Sequence, residues 1–99
     1  MWYVIVAEES PDTLEKRLQA RAEHLARLNQ LKEQGKLLLA GPFPAIDSTD
    51  PGPAGFTGSL IVAEFEDIQA ATEWANADPF VNEGVYTKVT VKPFRKTLP

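Results

Sequence analysis

The sequence predicts an α+β fold in which one four-stranded antiparallel sheet carries two helices on the same face. Three observations predict it. Four short segments are rich in β-branched, aromatic or consecutive apolar residues, two segments repeat apolar residues at helical spacing, and Gly35 and Asp78-Pro79 end those two helical runs. The resulting order is β-α-β-β-α-β within a chain of 99 residues, a length that suits one domain spanning residues 1–99.

Trp2 to Ala7 reads as a strand with both faces apolar, Trp2, Val4 and Val6 alternating with Tyr3, Ile5 and Ala7. Ser10-Pro11-Asp12-Thr13 is a helix start, with Asp12 as cap and Glu15 three residues on, so the first helix is expected over about Asp12 to Gln34. Gly35 is its C-cap. Lys36 to Gly41 is a buried strand, and the Pro/Gly-rich stretch that follows, residues 42–57, is expected to be an ordered flap near a pocket, with Phe43, Ile46 and Phe56 as anchors. Phe56 to Phe65 forms the third strand, where Gly58 marks a bulge or a close backbone approach. Asp67 caps a second helix with Ile68, Ala71, Trp74 and Ala75 on its apolar face, and Asp78-Pro79 stops it. Val85 to Lys92 alternates as a strand with one wet face. This order with helices of these lengths is the ferredoxin-like sandwich. Two helices cover one side of the sheet, and the first two strands are apolar on both. The other side therefore calls for a second copy of the chain packed sheet to sheet, or for cover by the tail from Pro93 to Pro99.

Composition excludes several functions. Ten Lys and Arg against 14 Asp and Glu give a net charge of −4, the wrong sign for phosphate neutralisation, so nucleic acid is not an expected partner. The absence of cysteine removes thiol catalysis and cysteine-based metal sites, and a single histidine gives no basis for a zinc or iron centre; neither metal nor cofactor is expected. No run of about eighteen apolar residues is present for a membrane span. The N-terminus lacks a basic stretch before its apolar residues, which leads to the expectation of a soluble cytoplasmic protein without membrane association. Phosphate-binding and dinucleotide-binding glycine motifs are missing, as are the sheet aromatics of an RNA-binding fold.

The residues that could carry chemistry gather on the first helix. On a helical wheel Leu14, Leu18, Leu25 and Leu28 form a stripe, Arg21 falls within it, and Arg17, Arg21 and His24 line one ridge. A guanidinium among leucines must reach solvent or meet an anion, so this ridge suits the wall of a pocket for a small anionic molecule. His24 is the one imidazole and hence the natural proton-transfer group near neutral pH. It needs an orienting acceptor, for which Asp47, Asp50, Asp67 and Asp78 are candidates. Asp78 stands out at the helix break, although an Asp before Pro also serves as a simple turn residue.

Tyr3-Val4-Ile5, Arg17, Arg21, His24-Leu25, Ala40-Gly41-Pro42, Gly58-Ser59, Asp78-Pro79-Phe80 and Val91-Lys92-Pro93-Phe94, in that order and spacing, resemble the YciI-like family across nearly the whole chain. The resemblance implies a dimeric α+β barrel assembly of the muconolactone-isomerase type, a proposed active-site His and Asp at His24 and Asp78, and a relative that acts as a dehydrochlorinase. On that basis Asp78 would fix the tautomer of His24, while Arg21, Arg17 and Ser59 would bind the substrate and stabilise an enolate or carboxylate oxygen. The implied function is lyase or isomerase chemistry on a small oxygenated ring or carbonyl compound. A non-catalytic dimeric module that binds a small ligand is the alternative, and a dimer face that serves another protein is a third.

Overall fold

The computed structural model describes residues 1–99. Strand β1 spans Trp2–Glu9, helix α1 Leu14–Glu33, strand β2 Leu37–Pro44 and strand β3 Phe56–Glu64. Helix α2 covers Ile68–Asn76, a single further turn α3 covers Pro79–Asn82, and strand β4 runs Tyr86–Phe94. The four strands pair antiparallel in the order β2-β3-β1-β4, the ferredoxin-like topology expected from the sequence. No helix is long and apolar enough to cross a membrane.

Tyr3, Ile5 and Ala7 of β1 face the helices and are buried, while Trp2, Val4 and Val6 occupy the open face. One core cluster joins Ile5, Ile61 and Ala63 of the sheet to Leu28, Leu31 and Ala75 of the helices. A second joins Ala7, Ala20, Phe80, Val85 and Tyr86. The tail does not seal the open face, because residues 95–99 form no regular structure and Leu98 is 79% exposed.

Several local expectations are corrected. Asp12 does not cap α1: it adopts φ 60°, a left-handed conformation that Asp tolerates, and Thr13 becomes the cap residue. Its hydroxyl turns back to the Ser10 carbonyl at 2.9 Å instead of toward the helix. Strand β2 runs on through Pro42 and Pro44, which an edge strand accommodates because a missing N–H there costs no interior ladder bond. The connecting loop is therefore shorter, from Ala45 to Gly55, closed at its base by Ala45 N–H donating to the Gly55 carbonyl at 2.9 Å. Phe43 and Ile46 do not anchor it, being 38% and 53% exposed; Pro51 and Gly55 are its buried points.

The leucine stripe of α1 is turned to the sheet only along one edge, at Leu28 and in part Leu25. Arg17, Ala20, His24, Leu28 and Leu31 are buried, and Leu18 is 62% exposed. The buried face lies about 80° round the helix from the leucine stripe. The reason is geometric: α1 lies beside the edge strand β2, so the stripe divides, Leu28 and Leu25 packing on the core while Leu14 and Leu18 overhang a cleft.

Gly58 is a close approach, as its position within a strand suggests. It has φ 156°, and a Cβ there would stand 1.9 Å from the Ala7 carbonyl oxygen. Gly58→Ala is expected to break the β1–β3 pairing at this end and to cost at least about 3 kcal/mol, measured as a drop in the urea midpoint.

Candidate active site

Asp78 is the fixed point of the site. It precedes Pro79, adopts φ −65° and ψ 138°, and caps α3 by accepting the Phe80 N–H at 3.0 Å. Pro79 enforces this, since it excludes a helical Asp78 and supplies a preset φ for the first residue of α3. The residue is 2% exposed and its carboxylate is aimed at α1. There His24 Nδ1 lies 2.8 Å from both Oδ1 and Oδ2. Arg27, one turn beyond His24, donates to Oδ2 at 3.2 Å and to the Trp74 carbonyl at 2.7 Å, with its guanidinium 4.3 Å over the Trp74 ring. A buried carboxylate thus has three donors and one compensating cation.

An ionised carboxylate only accepts, so Nδ1 of His24 carries the hydrogen and Nε2 of the neutral ring holds a lone pair. Nε2 has no partner within the protein, and no buried side-chain polar atom is left without one, so Nε2 opens onto the cleft that His24 lines. The ring is held flat on Phe80, centroids 4.0 Å apart at 11°, and meets the edge of Tyr86 at 6.3 Å and 84°. Orientation and tautomer are both fixed before any ligand arrives.

The cleft, about 210 Å³, lies between the leucine flank of α1 and strands β2 and β3. Leu14, Leu18, Leu25, Pro42 and Phe56 supply apolar walls; Arg17, Arg21, His24 and Ser59 supply the polar groups. All five residues expected at the site from sequence gather here, four on the cleft and Asp78 behind His24. They differ in what they offer. Arg17 is buried and ion-paired with Glu9, its guanidinium 4.7 Å from the Phe56 ring and 4.9 Å from that of Phe80. Burial pushes the Glu9 carboxyl above the usual range, and the Arg17 charge with hydrogen bonds from Thr13 and Arg17 opposes this only partly. Arg21 is exposed and forms no ion pair. Ser59 is 4% exposed and shares a 2.6 Å hydrogen bond with the Tyr86 phenol. Burial raises the Tyr86 phenol above its ordinary range, against smaller opposing effects of Ser59 and Arg17.

Arg27, Glu9 and Tyr86 were not foreseen. Arg27 follows His24 at a spacing of three, a signal the ridge from Arg17 to His24 already contained. Glu9 enters because β1 runs two residues further than its apolar pattern. Tyr86 enters through a register shift between Glu8 and Glu9, where Lys88 opposes Glu8 but Tyr86 opposes Glu9. That irregularity places Tyr86 indoors and leaves Thr87 exposed, against simple alternation. The Ala45–Gly55 loop does not line this cleft; it borders a neighbouring acidic depression with Glu9, Asp12 and Glu15.

Comparison with known proteins agrees with this architecture. The chain is 60% identical over 98 residues to Protein YciI of Escherichia coli O6:H1, covering 99% of this chain and 100% of that protein. It is 58% identical, with the same coverage, to an uncharacterised protein of Haemophilus influenzae. A solved structure, the 5-chloro-2-hydroxyhydroquinone dehydrochlorinase of Burkholderia phenoliruptrix AC1100 in complex with 2,5-dihydroxybenzoquinone, superposes with a TM-score of 0.82. Its sequence is 29% identical, and the match covers 96% of this chain and 94% of that one. The model of the YCII-related domain matches residues 1–95, and the chain belongs to that family.

Proposed function

We propose that this chain is a small-molecule enzyme in which His24 Nε2 moves a proton of a ligand held in the cleft. The observation that carries the proposal is the Nδ1 hydrogen bond to a buried Asp78, which leaves Nε2 as the free lone pair facing that cleft. In the elimination version, the ring is held as its keto tautomer with a saturated chlorine-bearing carbon, and Nε2 takes the proton of a ring hydroxyl. The O–H electron pair becomes a new carbonyl, the ring double bond shifts to the chlorine-bearing carbon, and chloride departs with the pair that bound it; the imidazolium then returns its proton to solvent. In the isomerase version it returns the proton to another ligand atom. Asp78 stays ionised throughout and stabilises the imidazolium, as Arg27 prevents an uncompensated buried charge.

Charge accounting narrows the ligand. Arg17 is balanced by Glu9 and Arg27 by Asp78, so with neutral His24 the net charge around the cleft is that of Arg21. Apolar walls with one unpaired guanidinium suit a ring-sized molecule carrying a single negative charge, anchored by Arg21 and oriented by Ser59, with Arg17 presenting its guanidinium edge beside them. The dehydrochlorinase acts by its name on a hydroxylated ring compound, which supports a ring-sized ligand here.

The open sheet face completes the reading. Trp2, Val4, Val6, Leu60 and Val62 lie on it, with Leu39, Phe43 and Phe94 exposed, while Glu64 and Lys92 bring opposite charges to its rim. An apolar centre with both signs at its edge is self-complementary, so the occupant we infer is a second copy of the chain.

Three outcomes are expected. With 5-chloro-2-hydroxyhydroquinone as test substrate, chloride release should fall about 10²–10⁴-fold in His24→Ala; absence of release by the wild type favours the binding-module alternative. Nitrogen NMR of the single imidazole should show the Nδ1–H tautomer in the wild type and its loss in Asp78→Asn, and a wild-type Nε2–H tautomer would sink the acid–base role. Light scattering at micromolar concentration should give a dimer mass, and a clean monomer rules out sheet-to-sheet assembly.

A further inference from the structure

The acid–base reading above gives Ser59 a part in orienting the ligand and leaves its partner Tyr86 without a task. Ser59 on β3 and Tyr86 on β4 are not on neighbouring strands, because β1 lies between them. Their oxygens nevertheless meet at 2.6 Å. The contact is possible because Ala7 is the residue of β1 opposite Ser59, and its short side chain leaves space for the Tyr86 ring to reach across from its place opposite Glu9. Phe80 packs edge-on against that ring, with centroids 5.3 Å apart at 87°, and fixes its direction.

Counting protons shows what the pair can do. Two hydroxyls carry two hydrogens, their contact uses one, and neither oxygen has another partner in the protein. One hydroxyl hydrogen is therefore unspent. A phenol is a stronger acid than an alcohol and the better donor, so the Tyr86 hydrogen goes to Ser59 Oγ and the unspent one belongs to Ser59. Ser59 lines the cleft, and Tyr86 stands behind it. Donation into Oγ also polarises the Ser59 O–H and strengthens it as a donor.

We propose that Tyr86 is a positioning residue: by donating to Ser59 Oγ it turns the Ser59 hydroxyl hydrogen into the cleft as a hydrogen-bond donor to an oxyanion of the ligand. The inference rests on the reading that the cleft binds a ring-sized anion, and it gives the oxygen that Arg21 anchors a second, oriented donor in Ser59. No proton is transferred in this role. The donor is already oriented when negative charge develops on the ligand oxygen, which is the condition under which such a group favours a charged state over a neutral one.

The test uses 4-nitrophenolate, a ring oxyanion whose visible band shifts to shorter wavelength when its oxygen accepts hydrogen bonds, titrated against wild type, Tyr86→Phe, Ser59→Ala and the double variant. Wild type is expected to bind and to hold the band of the bound probe near its position in water, where water donates to the same oxygen. Tyr86→Phe keeps the ring and its packing, and should weaken binding about 10-fold and move the bound band to longer wavelength, as should Ser59→Ala. The double variant should be no weaker than Ser59→Ala, because both changes remove one donor. Wild-type affinity and band position in Tyr86→Phe would overturn the proposal, as would an additive loss of about 100-fold in the double variant. Failure of the wild type to bind at millimolar probe would do the same. Chloride release separates this from the acid–base reading. If His24→Ala abolishes turnover while Tyr86→Phe binds the probe like wild type, only the hydroxyl pair falls. If Tyr86→Phe moves the bound band to longer wavelength while His24→Ala turns over normally, only the acid–base role falls.

Discussion

The buried charge of Asp78 organises this molecule. A carboxylate on a residue 2% exposed to solvent has lost its hydration, and every group around it answers that loss. The Phe80 amide comes from the turn that Pro79 starts, Nδ1 from the middle of α1, and the Arg27 guanidinium from one turn further along the same helix. The same arginine ties down the end of α2 through the Trp74 carbonyl. One side chain thereby locks three helical segments together, and removal of either charge from such an arrangement leaves the other uncompensated at a cost of about 3–5 kcal/mol. Structural and chemical roles coincide here, because the donors that stabilise the carboxylate are also what hold the imidazole in one orientation and one tautomer.

Around that centre the cleft is built from groups whose charges are largely spent. Arg17 is matched with Glu9 and wedged between the Phe56 and Phe80 rings, so it braces the wall where β1, α1 and β3 converge. Phe80 serves both sides, stacked on His24 and packed beside Arg17. The leucines that overhang the cleft supply an apolar boundary without filling it, since β2 is the sheet edge and α1 runs beside it. The polar groups on the cleft wall left unmatched within the protein are a short list: the Nε2 lone pair, one Ser59 hydroxyl hydrogen and the Arg21 guanidinium. The family comparison and the 0.82 superposition place this architecture among proteins that include a dehydrochlorinase.

Much of the fold was legible in the chain because its signals are local. Alternation marked the strands, Gly35 ended α1, Asp67 capped α2 through the Ala70 amide, and Pro79 forced the break that presents Asp78. His24 and Asp78 were legible as individual residues, one as the sole imidazole and the other as a capped break. Their separation of 54 positions carries no local signal, and their meeting came only from the resemblance and then from the structure.

What the sequence by itself determined is therefore the element order, the sheet class, and the identity of the groups able to move a proton. Those follow from periodicity and side-chain chemistry, which act over a few residues. Only tertiary structure decided which face of α1 is inside. A helical wheel gives the leucine stripe as the core face, but burial of Arg17 and His24 is offset by Glu9 and Asp78, partners that no helical wheel contains. Tertiary structure also decided the register shift beside Glu9, which brings Tyr86 indoors and across Ala7 to Ser59. Both are choices of pairing between distant segments, and the free energy that fixes them is defined only once the segments touch.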